Sequence, residues 1–317
     1  MSREGCVSQQ EITEEMLASM TTEQQNTKTT HIDQASTREI LEVMNAEDKT
    51  VPFAVYQALD QIAALVDAIV TSFKQGGRLF YIGSGTSGRL GVLDASECPP
   101  TFGVPRTMVQ GLIAGGREAL VRSIEDAEDN ETEGVDELKE LKFSSRDAIV
   151  GITASGQAPY VLGALTWAKE QGAVVGAISC NANSKTFAIA DHAIYLNVGP
   201  EVITGSTRLK AGTAQKLTLN MLTTASMIRL GKVYGNLMVD LTPVNAKLVV
   251  RSKRLIKQAT GCSDQEAEAA FEGSNRQPKI AILMVLLGIT AEEAVALNQR
   301  TDGPIAKALL LHSEERK

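Results

Sequence analysis

Short apolar runs alternate with segments of helical spacing over the first two thirds of the chain. The runs are rich in strand-forming residues and are bounded by glycine and polar turns, as buried strands are. They cover residues 78–82, 107–113, 147–153, 173–179 and 193–198. Strands that alternate with helices predict an α/β fold with a doubly wound parallel sheet. Its functional loops should lie at the carboxyl ends of the strands.

The remaining pattern is helical and predicts three parts. Residues 1–28 are poor in large apolar side chains and predict a flexible N-terminal extension. Residues 29–245 would form the α/β domain together with preceding helices, including one long amphipathic helix over 51–73. Within it, the acidic segment 118–140 is predicted to be mostly helical. Residues 246–317 would form a small helical C-terminal module.

Two glycine–hydroxyl loops follow predicted strands. Residues 83–89 read GSGTSGR after the first strand, and residues 154–157 read ASGQ after the third. Backbone N–H groups at a glycine loop, a helix N-terminus and hydroxyl donors favour a phosphate group, although serine and glycine are also ordinary turn residues. Two such loops on one sheet edge favour a phosphosugar site. The candidate ligands are Ser84, Gly85, Thr86, Ser87, Ser155 and Gly156.

Carboxylates close to this cradle suggest acid–base chemistry. Glu97 follows the first loop in the segment SECPP, where it could also be a surface carboxylate before a Pro-Pro helix stop. Glu128 lies in a strongly acidic stretch, and spacing alone does not distinguish it from its neighbours. Arg208 and Lys210 could be structural cations at a helix start or could approach a bound anion.

The first loop also fits the dinucleotide fingerprint Gly83-x-Gly85-x-x-Gly88. A nicotinamide-binding domain would place a carboxylate at the end of the second strand, to hold the ribose. The second strand instead ends in Ile113-Ala114-Gly115-Gly116. The hydroxyl-rich loop also suits a compact phosphomonoester better than a pyrophosphate, so we do not expect a dinucleotide.

Charge and composition exclude several classes of protein. The 317 residues carry a formal charge of −7 without a basic cluster, which argues against nucleic acid as a partner. No apolar run reaches the roughly 20 residues of a membrane span, and the N-terminus lacks signal-peptide features, so we expect a cytoplasmic protein. Four scattered cysteines and three scattered histidines favour reduced thiols and predict no metal site.

Long motifs resemble the N-acetylmuramic acid 6-phosphate etherase family of the sugar isomerase (SIS) superfamily. The resemblance extends from about residue 22 onward. Its motifs are DKTVP (48–52), the stretch 83–100 ending in DASECPP, GLIAGG (111–116), EDAED (125–129), TGSTRLKAGTAQK (204–216) and GNLMVD (235–240).

The resemblance implies removal of the D-lactyl ether by elimination and then hydration, without a cofactor. Glu97 would protonate departing lactate and then activate water, and Glu128 would act at carbon 2. The Ser84–Ser87 and Ser155–Gly156 loops would bind the 6-phosphate, with Lys210 among the substrate contacts. The resemblance further implies a homodimer and a ubiquitin-associated-like C-terminal module.

Two alternatives stay open. The glucokinase regulatory protein is similar to the etherases but binds phosphosugars without cleaving them, and a sugar-phosphate isomerase would share the phosphate loops. The presence of both Glu97 and Glu128 favours the etherase over the regulator.

Overall fold

Five short, fully parallel strands form the sheet at the centre of the molecule. The computed structural model describes residues 13–124, 126–243 and 245–316. The strands are β1 (Leu79–Gly83), β2 (Val109–Ile113), β3 (Ala148–Ile152), β4 (Val174–Ser179) and β5 (His192–Tyr195), in the order β2-β1-β3-β4-β5. The prediction of a parallel α/β sheet is confirmed. The order places the topological switch point between β1 and β3, where ligands of open α/β sheets bind.

Helices cover both faces of this sheet, so the doubly wound prediction is also confirmed. Alternation along β1 sends Leu79 and Tyr81 into one buried core and Phe80 and Ile82 into another. The first core contains residues of α4 (Leu59–Lys74), α5 (Gly85–Phe102) and α9 (Lys210–Arg229). The second contains residues of α6 (Glu133–Glu140) and α7 (Pro159–Glu170). The remaining helices of this part are α1 (Glu14–Ser19), α2 (Thr37–Asp48), α3 (Val51–Tyr56) and α8 (Lys185–Ile189).

Two predicted helices are interrupted. The segment 51–73 forms α3 and α4 with a break between them, because Ala58 leaves the helical region at φ −101° and ψ 8°. The segment 118–140 is mostly not helical before α6: it forms short 3₁₀ turns over Gly116–Leu120 and Ala127–Asp129. Asp126 has φ 63°, which no continuous right-handed helix can contain. The prediction of a mostly helical segment was therefore wrong.

Helix α5 does not stop at its two prolines. Pro99 and Pro100 lie inside the helix, which continues to Phe102. Gly103 then ends it in the left-handed conformation, with its N–H donating to the Pro99 carbonyl at 2.9 Å. Neither proline has an N–H to donate, so this last turn lacks two of the hydrogen bonds of a regular helix.

Residues around Thr22 and Asn26 pack against the domain, which differs from the expected flexible extension. Thr22 is fully buried, its N–H donates to Asn181 Oδ1, and its hydroxyl accepts from Asn181 Nδ2. Asn26 donates to Glu47 Oε2. The expectation thus fails for the segment around Thr22 and Asn26, and residues 1–12 lie outside the described part.

The C-terminal residues are helical, as expected. The helices are α10 (Ala246–Thr260), α11 (Asp264–Gly273), α12 (Pro278–Leu287), α13 (Ala291–Arg300) and α14 (Ile305–Glu315). Their common core includes Phe271 and Ile282, but also Val239, which follows a small antiparallel hairpin of β6 (Val233–Tyr234) and β7 (Leu237–Met238). The three-part division with a boundary at residue 246 stays a prediction.

Across the described ranges, no single helix is long and apolar enough to cross a membrane. Two bent helix pairs, Thr37–Tyr56 with Leu59–Lys74 and Pro278–Leu287 with Ala291–Arg300, meet that test together by length and composition.

Candidate active site

The first glycine–hydroxyl loop is the junction between β1 and α5. Ser84 occupies the N-cap position with extended backbone, and its side chain makes no capping hydrogen bond. Gly85 has φ +51°, a conformation that favours glycine. The N–H groups of the first helical turn have no partner within a helix, and the positive end of the helix dipole lies there. The junction can therefore bind an anion.

Glycines allow the backbone of this junction to approach the sheet closely. A Cβ on Gly88 would lie 2.5 Å from the Gly83 carbonyl oxygen, and a Cβ on Gly83 would lie 2.8 Å from the Ile152 carbonyl oxygen. Gly83 and Ile152 are also register partners on β1 and β3. The two predicted loops therefore begin side by side at the switch point of the sheet.

Glu128 lies directly at the first loop. Ser84 Oγ donates to Glu128 Oε2 at 3.0 Å. Both residues line an open cavity of about 350 Å³ at the carboxyl ends of β1 and β2. Its walls are formed by Ser84, Gly85, Arg89, Ala114, Ala119, Ser123, Ile124, Asp126, Ala127, Glu128 and Asp129. Glu128 belongs to the 3₁₀ turn after Asp126 and not to a solvated helix face. Its contact with Ser84 distinguishes it from the acidic neighbours, which spacing had not done.

Ser87 is oriented differently from its predicted role. Its side chain is buried, and Oγ donates to Gln215 Oε1 on α9 at 2.9 Å. Gln215 Nε2 is buried and has no hydrogen-bond partner among the described residues. Thr86 is half-buried, and its methyl group faces Gly212, which also lies on α9. The Ser87 hydroxyl would have to leave Gln215 before it could donate to a phosphate.

The second loop contributes to a neighbouring cavity. Ser155 and Gln157 line a space of about 260 Å³ together with Asn181 and the segment Ser19–Thr21. Ser155 Oγ accepts from the Gln157 N–H at 3.2 Å. Gly156 has φ +76°, and a Cβ there would lie 2.1 Å from Ser184 Oγ, so only glycine fits. The loop has the expected tight turn at the same sheet edge.

Lys210 makes a buried ion pair instead of lining either cavity. Its ammonium donates to Glu47 Oε2 at 2.8 Å, with side chains only 3% and 6% exposed. Its backbone N–H donates to Glu201, which caps α9 through the N–H groups of Lys210 and Ala211. The structure thus places Lys210 as a structural cation, the first of its two predicted roles. Contact with substrate stays a prediction.

Within one chain, Glu97 lies far from the cavity that Glu128 lines. It is exposed on α5, twelve residues after Gly85, which corresponds to about 18 Å along the helix axis. One turn before it, the buried Asp94 accepts hydrogen bonds from Tyr81, Asn220 and Thr223. Burial raises the pKa of Asp94 despite these bonds. The structure does not bring Glu97 and Glu128 together in a single chain.

Arg89 also lines the cavity, although its place at the end of the GSGTSGR motif predicted no role for it. Its place one helical turn after Gly85, on the same face of α5, was the sequence signal that could have identified it.

In the described part of the chain, no group of three or more His, Cys, Asp or Glu residues could hold a metal ion.

Comparison with known proteins identifies close relatives. Residues 61–169 match the family model of the glucokinase regulatory protein N-terminal SIS domain. The chain is 55% identical over 298 residues to N-acetylmuramic acid 6-phosphate etherase 2 of Vibrio cholerae, covering 94% of this chain and 97% of that protein. It is 52% identical to the N-acetylmuramic acid 6-phosphate etherase of a Geobacillus species, covering 93% and 100%. Among solved structures, phosphoheptose isomerase from Neisseria gonorrhoeae is 18% identical with a TM-score of 0.47, covering 60% of this chain and 98% of that one.

Proposed function

The chain belongs to the N-acetylmuramic acid 6-phosphate etherase family, and we propose that it cleaves the D-lactyl ether of N-acetylmuramic acid 6-phosphate. The products are N-acetylglucosamine 6-phosphate and D-lactate. The observation that carries this proposal is the Ser84–Glu128 contact beside the open N-terminus of α5. A carboxylate and a turn with the features that favour an anion line the same cavity, which supports the proposal.

The chemistry needs proton transfer at two carbons. In the open-chain sugar, the aldehyde acidifies the proton on carbon 2, and the Glu128 carboxylate removes it. The bond between carbon 3 and the ether oxygen breaks while Glu97 donates a proton to the departing lactate. Water then adds to carbon 3 of the unsaturated aldehyde, with Glu97 as base, and Glu128 returns a proton to carbon 2. Each carboxyl group ends in its starting state.

We propose that the protein is a homodimer in which the partner supplies the acid. Glu97 and Glu128 are separated along α5 in one chain, yet the reaction needs both beside adjacent carbons. The proposed dimer has a two-fold axis placed so that Glu97 of each chain lies at the Glu128 cavity of the other. We also propose a cytoplasmic location, which agrees with free cysteines at Cys98, Cys180 and Cys262.

The proposal is tested by product analysis in heavy-oxygen water. The purified protein is incubated with N-acetylmuramic acid 6-phosphate in H₂¹⁸O. D-lactate is assayed, and the sugar product is analysed by mass spectrometry. We expect lactate together with ¹⁸O on carbon 3 of the sugar, whereas label on carbon 1 is not counted because the open-chain aldehyde exchanges its oxygen with water. Lactate without label on carbon 3 would exclude elimination followed by hydration, and phosphosugar binding without lactate would favour a regulatory protein.

Substitution of the two carboxylates tests their roles. E97Q and E128Q should each lower kcat by at least about 100-fold, the contribution typical of a positioned acid or base. Binding of N-acetylglucosamine 6-phosphate should change little in E97Q, because Glu97 acts on the ether oxygen and not on the phosphate. E131Q is the matched control, since Glu131 lies in the same acidic segment but does not line the cavity. Normal turnover by E97Q or E128Q would remove that residue from the mechanism.

A further inference from the structure

Arg89 is the cationic side chain in the Glu128 cavity. Among the described residues, the charged groups that line this cavity are Arg89, Asp126, Glu128 and Asp129. Three carboxylates repel an anionic ligand, so any anionic group that enters must be compensated by Arg89 or by the start of α5.

Contacts with the backbone hold the guanidinium in place. Nε donates to the Leu120 carbonyl at 3.3 Å, and Nη2 donates to the Arg122 carbonyl at 2.9 Å. A guanidinium carries five N–H donors, so these two bonds leave three. Both partners within the described ranges are neutral carbonyl groups, so the charge of Arg89 is not neutralised by them. Arg89 is thus a fixed, half-buried cation with donors to spare.

The proposed substrate has two anionic groups, the 6-phosphate and the lactyl carboxylate. The phosphate fits the hydroxyl loops and the helix N-terminus at the β1–β3 switch point. Arg89 lines the cavity of Glu128, which is also bordered by Ala114 just after β2 and by the two 3₁₀ turns. Glu128 would act at carbon 2 in this cavity, and the lactyl group is attached to the adjacent carbon 3.

We propose that Arg89 binds the lactyl carboxylate and thereby selects the ether substrate over the product. This inference rests on the proposed function. A forked guanidinium matches a carboxylate in geometry as well as charge. The contact also holds the leaving group at the site where its bond to carbon 3 breaks. After cleavage, the remaining sugar phosphate no longer has this contact.

The test compares three ligands in R89Q and in the wild-type protein. The ligands are N-acetylmuramic acid 6-phosphate, its analogue with a carboxamide in place of the lactyl carboxylate, and N-acetylglucosamine 6-phosphate as a product inhibitor. For the first, kcat/KM should fall by about 10- to 150-fold in R89Q, the loss expected for a hydrogen bond between charged groups. For the carboxamide, wild type and R89Q should agree within about two-fold, and so should the product's inhibition constant.

Two further variants separate binding from structural effects. R89K keeps the charge but not the fork, so it should show a smaller loss that is still confined to the carboxylate ligand. If R89Q does not fold, R89K carries the comparison. R122Q is the matched control: Arg122 has a side chain 77% exposed, and only its backbone carbonyl touches Arg89, so all three ligands should behave as in wild type.

Other outcomes overturn the inference. An equal loss for the muramic acid substrate and the product would assign Arg89 to the phosphate or to general structure. No loss for any ligand would remove Arg89 from recognition. If the wild-type protein releases no lactate, the proposed function fails, and calorimetric binding of the same three ligands to wild type and R89Q still decides the carboxylate contact.

Discussion

Lys210 and Glu47 show how burial can assign a charged residue to structure. Glu47 accepts hydrogen bonds from Lys210 and Lys28, both at 2.8 Å, and from Asn26 at 3.0 Å. Burial raises the pKa of Glu47, but the bonds from both lysines outweigh it and lower the pKa from 4.5 to about 2. The charged form of Glu47 is therefore favoured in the folded protein.

At this residue scale, E47Q should lower the free energy of unfolding at pH 7 by about 3–5 kcal/mol, because it leaves Lys210 buried without its counter-ion. Since the folded pKa lies below the ordinary value, the stabilisation is present above about pH 4.5 and is lost as the pH falls towards 2. Urea denaturation at several pH values should show the difference between wild type and E47Q shrinking over that range.

The control for this prediction is E42Q on the same helix. Glu42 pairs with Arg38 at 2.6 Å, but its side chain is 56% exposed, so its loss should change stability by less than about 1 kcal/mol. An E47Q protein as stable as wild type at pH 7 would contradict a stabilising role for the Lys210–Glu47 pair.

At the scale of an element, α5 depends on a glycine face. A Cβ on Gly88 would lie 2.5 Å from the Gly83 oxygen and 2.7 Å from Ile113 Cγ1, and a Cβ on Gly91 would lie 2.9 Å from Tyr81 Cβ. Because Gly88 and Gly91 lack a Cβ, the start of α5 can approach β1 closely, and its N–H groups lie at the sheet edge.

G88A should displace the start of α5 and lower the free energy of unfolding by about 1–3 kcal/mol, as overpacking does. Affinity for N-acetylglucosamine 6-phosphate should fall as well, because the N–H groups of the first turn move. Denaturation and calorimetry measure the two effects. G273A is the control: its Cβ would be 3.4 Å from the nearest atom, so stability should be kept or increased. Unaltered affinity in G88A would show that this turn does not bind the phosphate.

At the scale of the whole molecule, the distance between Glu97 and Glu128 has a measurable consequence. In a symmetric dimer with shared sites, a hybrid of one E97Q chain and one E128Q chain keeps one site with both carboxylates intact. Mixing the two inactive variants under conditions of subunit exchange should therefore restore about a quarter of wild-type activity. Sedimentation analysis should show a dimer. If both carboxylates act within one chain, the mixture stays inactive.

Local sequence determined the elements of the sheet and its loops. Strands are recognisable because each is a short apolar run between turn residues, and β1 to β5 lie where such runs predict them. The position of Ser84 and Gly85 between a strand and a helix follows from the glycine motif, since few other residues adopt that turn. The parallel arrangement follows from alternation of strands and helices.

The interruptions of the predicted helices could not be predicted from the sequence pattern. Apolar spacing continues across the break between α3 and α4, because both helices face the same core. In the acidic segment before α6, the left-handed Asp126 breaks the helix, and aspartate also occurs in ordinary helices. Periodicity records which side chains are buried and does not record each backbone angle.

Only the tertiary structure decided which candidate groups meet. Ser87 faces Gln215, 128 residues away, and Lys210 faces Glu47, 163 residues away. The hydrogen bond from Ser84 distinguishes Glu128 from its acidic neighbours. Glu97 lies on α5, far along the helix from its N-terminus. A sequence determines residue types and local turns because those depend on neighbouring residues. Partners and distances between side chains depend on how distant elements pack, and packing is a property of the folded chain as a whole.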